Sequence, residues 1–258
     1  MRVQKHGATI GEREHEFAAR IAEQAGDLLL AIRSSDRGAD ELRAEGDRRS
    51  HEFLVSSLAE EFPEDPWLSE EAPPDSGRLS SRRVWIVDPL DGTREFGEAG
   101  RADWAVHVAL VADGEPVVGA VALPAEGVTL SARRPPRVPP RTTERIRIAV
   151  SATRPTPLAV SLAERLDAEL VPMGSAGAKI AAVMRGQVDV YAHSGGQYEW
   201  DSAAPVAVAL AAGLHASRLD GSLLRYNQEN PWLPDLLVCR PELAGDVLRA
   251  LSEVSAGL

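Results

Sequence analysis

The apolar run Trp85-Ile86-Val87 ends in Asp88-Pro89-Leu90-Asp91-Gly92-Thr93. A strand apolar enough for an interior therefore delivers two carboxylates at its exit. Proline's fixed backbone stiffens the link between Asp88 and Asp91, so both can converge on one hard cation, with the Leu90 carbonyl facing the same point. Gly92 and Thr93 then open a short helix whose free N–H groups form an anion site. The plainer reading is an Asp-rich turn with Asp91 as a helix cap.

Charge narrows the possible ligands. The chain has 258 residues and a formal net charge of −11, which disfavours nucleic acid and anionic membrane as partners. A phosphorylated ligand would need positive charge from elsewhere, and a metal ion with a helix terminus would supply it. Lys5 and Lys179 are the only lysines. The single cysteine, Cys239, excludes an internal disulfide framework and a cysteine-based zinc site. The six histidines lack metal-binding spacing. No signal-peptide pattern opens the chain, and the longest apolar run, 14 residues from Ala203, is too short to span a bilayer. These features point to a cytoplasmic protein without a membrane partner.

Apolar spacing predicts an amphipathic helix over Glu12 to Arg33, on Phe17, Ile21, Leu28 and Ile32. A polar break over 34–46 follows, and Asp47 is expected to cap a second helix that Pro63 and Pro66 end. Strands at VWIV, WAVHVALV, PVVGAVAL and GVTLSA predict an antiparallel sheet. The proline-rich RRPPRVPPRTTE is a linker. Beyond it come strand RIRIAVS, a helix near Leu158 to Leu166, helix GAKIAAVMRG and strand VDVYAH. Helix DSAAPVAVALAAG, strand DLLVC and helix ELAGDVLRALSEV complete the chain. The expected class is α/β (α+β), one domain over 1–258 with parts 1–136 and 137–258.

Further acids stand at element ends. Glu70-Glu71 reads most simply as solvated surface, and Asp201, before SAAPVAVAL, as a helix cap. Four converging carboxylates, Glu70, Asp88, Asp91 and Asp201, would repel one another without multivalent cations at their centre.

SEE, DPLDGT and WDSAA together resemble the hallmark of the magnesium-dependent, lithium-sensitive inositol monophosphatase superfamily. The resemblance covers nearly the whole chain and implies a five-layer αβαβα sugar-phosphatase fold. It implies two or three Mg2+ ions held by Glu70, Asp88, the Leu90 carbonyl, Asp91 and Asp201. Thr93 and Asp47 would position the attacking water, with Glu70 beside them in the catalytic set and Glu71 behind it. Gly92, Thr93, Ser175, Lys179 and Asp201 would contact substrate. MGSAGAK is one residue longer than the family's GSSLK pattern, so Lys179 reads either as a phosphate ligand or as a solvated helix lysine. DGTREF and EWDSAA favour the CysQ-like 3'(2'),5'-bisphosphate nucleotidase branch. The implied substrate is 3'-phosphoadenosine 5'-phosphate, cleaved to AMP and phosphate within sulfate assimilation. Inositol 1-phosphate and fructose 1,6-bisphosphate are the alternatives, and a homodimer is a family expectation. Tyr198 and Tyr226 either border the nucleoside or pack inside. A haloacid-dehalogenase phosphatase would need D-x-D-x-T, and the spacing here is wider. A non-catalytic anion-binding module would have no use for so many clustered carboxylates.

Overall fold

The computed structural model describes residues 10–256. Lys5 and the rest of residues 1–9, part of the opening stretch in which no signal peptide is expected, lie outside them. Helix α1 (Glu12–Arg33) starts where the Glu14 carboxylate accepts the Gly11 N–H at 2.9 Å. It buries Phe17, Ile21, Leu29 and Ile32, with Leu29 rather than Leu28 fully enclosed. Helix α2 spans Ala39–Glu61, which corrects the expected polar break: Asp47 lies well inside the helix and caps nothing. Its opening ADELRAE is made of good helix formers, with Asp40 and Glu41 in the first turn. Gly46, which looked like an interruption, is instead a point of close approach. A Cβ there would come within 2.9 Å of the Phe96 ring and 3.1 Å of Leu90, so α2 needs glycine to lie against the site.

The first sheet runs β1 (Trp67–Ser69), β2 (Arg83–Asp91), β3 (Ala105–Ala112), β4 (Glu115–Leu123) and β5 (Val128–Ser131), in that spatial order. It is antiparallel except for β1, a short strand not anticipated, which pairs parallel with Trp85–Val87 of β2. The β2–β3 ladder slips between Asp88 and Asp91, where Pro89 cannot donate to it. Helix α3 (Thr93–Phe96) follows with Gly92 as its N-cap, so Asp91 does not cap it.

Past the proline-rich segment, the second sheet is built from β6 (Arg147–Ser151), β7 (Glu169–Met173), β8 (Val190–Tyr198), β9 (His215–Ser217) and β10 (Trp232–Cys239). Their spatial order is β7-β6-β8-β10-β9. The two edge strands, β7 and β9, escaped the sequence reading. One is half-exposed and interrupted by Pro172, and the other has only three residues. Helices α4 (Pro157–Arg165) and α7 (Ala244–Ala256) cover the outer face of this sheet, and Thr156 caps α4 by accepting the Ala159 N–H. Helices α5 (Ala176–Met184) and α6 (Glu199–Ala211) lie between the sheets and share one apolar core with both. Helices α1 and α2 pack on the far face of the first sheet. The result is five layers, αβαβα, as the resemblance implied. No described helix is long and apolar enough to cross a membrane.

Candidate active site

Strand β2 carries Asp88 into the interior, where its residue exposure is only 1%. The Leu90 N–H donates to Asp88 Oδ1 at 3.1 Å, and Ser50 Oγ, from α2, pins the Pro89 carbonyl at 2.7 Å. Asp88 Oδ2 is buried with no hydrogen-bond partner.

Asp91 ends the same strand and meets the start of α5. Ser175 Oγ and the Gly177 N–H both donate to its Oδ2 at 2.5 Å, and the Ala176 N–H donates to Oδ1 at 3.1 Å. Three donors from the start of α5 thus fix the orientation of the Asp91 side chain. Ser175 Oγ also accepts the Ala178 N–H at 3.0 Å, capping α5 while it grips Asp91.

Asp201 comes from the first turn of α6, and its Oδ2 accepts the Tyr198 N–H at 2.6 Å. Its side chain thus does close the helix start, yet it also faces the other acids. Single carboxylate oxygens of Asp88, Asp91 and Asp201 all lie within 4.8 Å of one another. Burial, followed by the charge of Asp91, pushes Asp201 up to about 7. Burial and the same neighbouring charges raise Asp88 well above the usual carboxylate range.

Glu70 stands at the rim, just past β1, outside this close trio. As a residue it is exposed, but protein crowds its carboxyl group. That desolvation, with the charges of Asp91, Glu71 and Asp47, pushes it up to about 7. Glu71, beside it, contributes charge to both Glu70 and Asp47. Asp47 projects from the middle of α2, where burial and Glu71 raise it to about 7 against the opposing hydrogen bond from Thr93. Thr93 Oγ1 lies 3.2 Å from Asp47 Oδ1 and 3.0 Å from the Leu90 carbonyl oxygen, so the expected Thr–Asp pair is formed.

Lys179, on α5, is no solvated helix lysine. It is buried, its Nζ donates to the Gly174 carbonyl at 3.2 Å, and it lies 5.5 Å from the centre of the Tyr191 ring. Burial lowers its pKa, while the charges of Asp91 and other acids oppose that shift. Beside it lies a cavity of about 140 Å3 lined by Lys179, Tyr191, His193, Gln197, Ser151 and Thr156, among others. His193 Nε2 and Gln197 Oε1 are buried without partners. The larger groove of about 520 Å3 near Trp67 is lined by Glu64, Asp65 and Asp75 but by none of the candidate-site acids.

One site residue went unnoticed in the sequence. His107 is buried in β3 directly across the ladder from Asp88. Its Nδ1 lies 3.1 Å from the Trp200 carbonyl and its Nε2 lies 3.3 Å from Asp91 Oδ2. Burial lowers its pKa and favours the neutral ring, whose Nδ1–H then donates to Trp200. A single polar residue inside WAVHVALV was the available signal. Gly177 makes this contact possible, since a Cβ there would fall 2.0 Å from His107 Nε2.

This arrangement fits a metal ion. A buried carboxylate oxygen without a donor, flanked by two further carboxylates, is costly unless a cation shares the space. The trio could hold one, with oxygen ligands suited to a hard divalent ion.

Comparison with known proteins identifies the family. The chain matches the model of the inositol monophosphatase family over residues 4–255. It is 51% identical to the 3'-phosphoadenosine 5'-phosphate phosphatase of Mycobacterium leprae (strain TN), covering 92% of this chain and 93% of that one. It is 32% identical to the 3'(2'),5'-bisphosphate nucleotidase CysQ of Escherichia coli (strain K12), covering 83% of this chain and 94% of that one. The crystal structure of CysQ from Bacteroides thetaiotaomicron superimposes with a TM-score of 0.76 at 27% identity, covering 89% of this chain and 97% of that one. The chain belongs to the inositol monophosphatase family.

Proposed function

We propose that the protein is a Mg2+-dependent phosphomonoesterase that removes the 3'-phosphate of 3'-phosphoadenosine 5'-phosphate, giving AMP and phosphate. The carrying observation is a pair of features beside α5: the Asp88–Asp91–Asp201 group, whose Asp91 meets the start of that helix, and the cavity lined by its Lys179. A substrate with two phosphates needs one place for the reacting group and another for the spectator. The curated relatives named above act on such a substrate by their names.

Mg2+ held by Asp88, Asp91 and Asp201, with Glu70 and the Leu90 carbonyl, would supply Lewis-acid stabilisation of the charge on the phosphoryl oxygens. The chain's own residues do the rest. Thr93 Oγ1, held by Asp47 and the Leu90 carbonyl, orients a water for attack on phosphorus. Asp47, at about 7, is matched to taking up the proton that this water loses near neutral pH. The water oxygen forms the new P–O bond, the bond to the ribose 3' oxygen breaks, and solvent protonates the leaving oxygen. No residue becomes phosphorylated. The Gly92 and Thr93 N–H groups hold the reacting phosphate, and Ser175 acts through Asp91. Lys179 and His193 receive the 5'-phosphate.

Steady-state kinetics test this reading. With Mg2+ present, kcat/KM for 3'-phosphoadenosine 5'-phosphate should exceed that for inositol 1-phosphate and fructose 1,6-bisphosphate by about tenfold or more. A preference for either alternative would overturn the substrate assignment. Lys179→Met should lower kcat/KM for the bisphosphate by about a hundredfold, the scale of losing one partner of a buried charge pair. The same variant should leave 3'-AMP, which lacks the 5'-phosphate, within about threefold of wild type. Equal losses on both substrates would remove Lys179 from the spectator role.

A further inference from the structure

Arg78 lies in the loop that follows Glu70 and Glu71, and its residue exposure is only 1%. A buried arginine is costly unless its donors are matched; here Nε is buried without a partner, and the two Nη groups reach far across the chain. Its Nη1 donates to Asn227 Oδ1 at 2.5 Å and its Nη2 donates to the Gln228 carbonyl at 2.7 Å. Asn227 Nδ2 donates back to the Arg78 carbonyl at 3.1 Å.

The other side of the same turn is gripped by α6. Glu199, the first residue of that helix and equally buried, accepts the N–H groups of Asn227 at 2.6 Å and Gln228 at 2.8 Å. Tyr226 is fully buried, with its hydroxyl 3.2 Å from Ser202 Oγ, so it packs inside rather than facing a ligand. Asn227 holds φ +60°, a left-handed conformation that asparagine tolerates better than most residues. The turn at 226–228 therefore joins two segments: the loop behind Glu70 and the helix start that carries Asp201.

We infer that Arg78 is a positioning residue, which with Asn227 and Glu199 fixes the Glu70 loop relative to the first turn of α6 and so sets the spacing of acids from opposite halves of the chain. Neither Arg78 nor Asn227 belongs to the acid trio. Their effect on the ion travels through ligand placement, as partners behind a metal site commonly do. The start of the Glu70 loop is anchored separately, since His51 Nδ1 lies 2.9 Å from Ser69 Oγ. Arg78 supplies the second anchor. This inference rests on the metal-dependent reading above.

The test uses the full chain and two variants, Arg78→Met and Asn227→Gly. Glycine keeps the positive φ while deleting the bridging amide, so it is the safer variant if Arg78→Met fails to fold. Mn2+ binding is measured by calorimetry without substrate, and the Mg2+ concentration for half-maximal turnover is measured alongside. Both constants should weaken by about tenfold to a hundredfold. Turnover at saturating Mg2+ should stay within about threefold of wild type, a split that general destabilisation would not produce. Arg78→Lys, which keeps the charge and one donor but not the fork, should recover part of the loss. Variants that melt earlier yet bind Mn2+ as wild type does would overturn the positioning role and leave the metal reading standing. Wild-type protein that binds no Mn2+ would overturn both.

Discussion

Asp88→Asn is expected to lower kcat by about a thousandfold or more while leaving the metal-free protein at least as stable as wild type. The two effects have one origin. Asp88 sits in the interior with an unpartnered oxygen, beside Asp91 and Asp201, and its raised pKa records the cost of charge there. Asparagine keeps the acceptor for the Leu90 N–H, removes the repulsion, and loses an anionic ligand from the trio. The checks are turnover at saturating Mg2+ and the thermal midpoint in a chelator. A variant with activity within tenfold of wild type would remove Asp88 from the ion's ligands. A variant that melts well below wild type would show that the carboxylate serves the fold.

The second expected result concerns pH. Asp47, Glu70 and Asp201 titrate near 7 in the folded protein, against about 4 for such groups in an unfolded chain. Between those values the folded state holds more protons than the unfolded state. Their contribution to stability is therefore complete below about pH 4 and is lost as pH rises through about 7. Metal-free protein should melt earlier at pH 8 than at pH 5.5. Mg2+ requires the deprotonated groups, so its stabilising effect should run the opposite way. At a hundredfold excess over Kd at pH 8 it should raise the midpoint by about 5–10 °C, with a smaller shift at pH 5.5. Scanning fluorimetry at both pH values, with chelator or Mg2+, measures this. A Mg2+ effect equal at the two pH values would sink the idea that these carboxylates receive the ion.

Legibility followed locality. DPLDGT could be read because an apolar strand, a proline and two acids lie side by side in the chain. Helix α1 could be read because its apolar residues repeat over its whole length. The helix-cap reading of Asp47 fails because Gly46 resembles a break, and only the third dimension shows the Phe96 ring that demands it. His107 was missed because a lone histidine in an apolar strand looks like core until its neighbour across the ladder proves to be Asp88. Lys179 stayed ambiguous because nothing in MGSAGAK says which side of the helix is closed. Arg78 and Asn227 look like ordinary loop residues, and their pairing across 149 positions leaves no trace in spacing. The candidate ligands could be named from the chain, whereas the contacts behind them required the fold.

The carboxylate of Asp91 rests on the start of α5, and Asp201 arrives only with α6. A ribosome that has released the first sheet has therefore made an unfinished receptor, with Asp91 lacking both its donors and its partner acid. The nascent chain should show no ion-dependent protection from proteolysis until α6 has left the exit tunnel. On the metal-dependent reading, loading then becomes a late event that seals a finished fold.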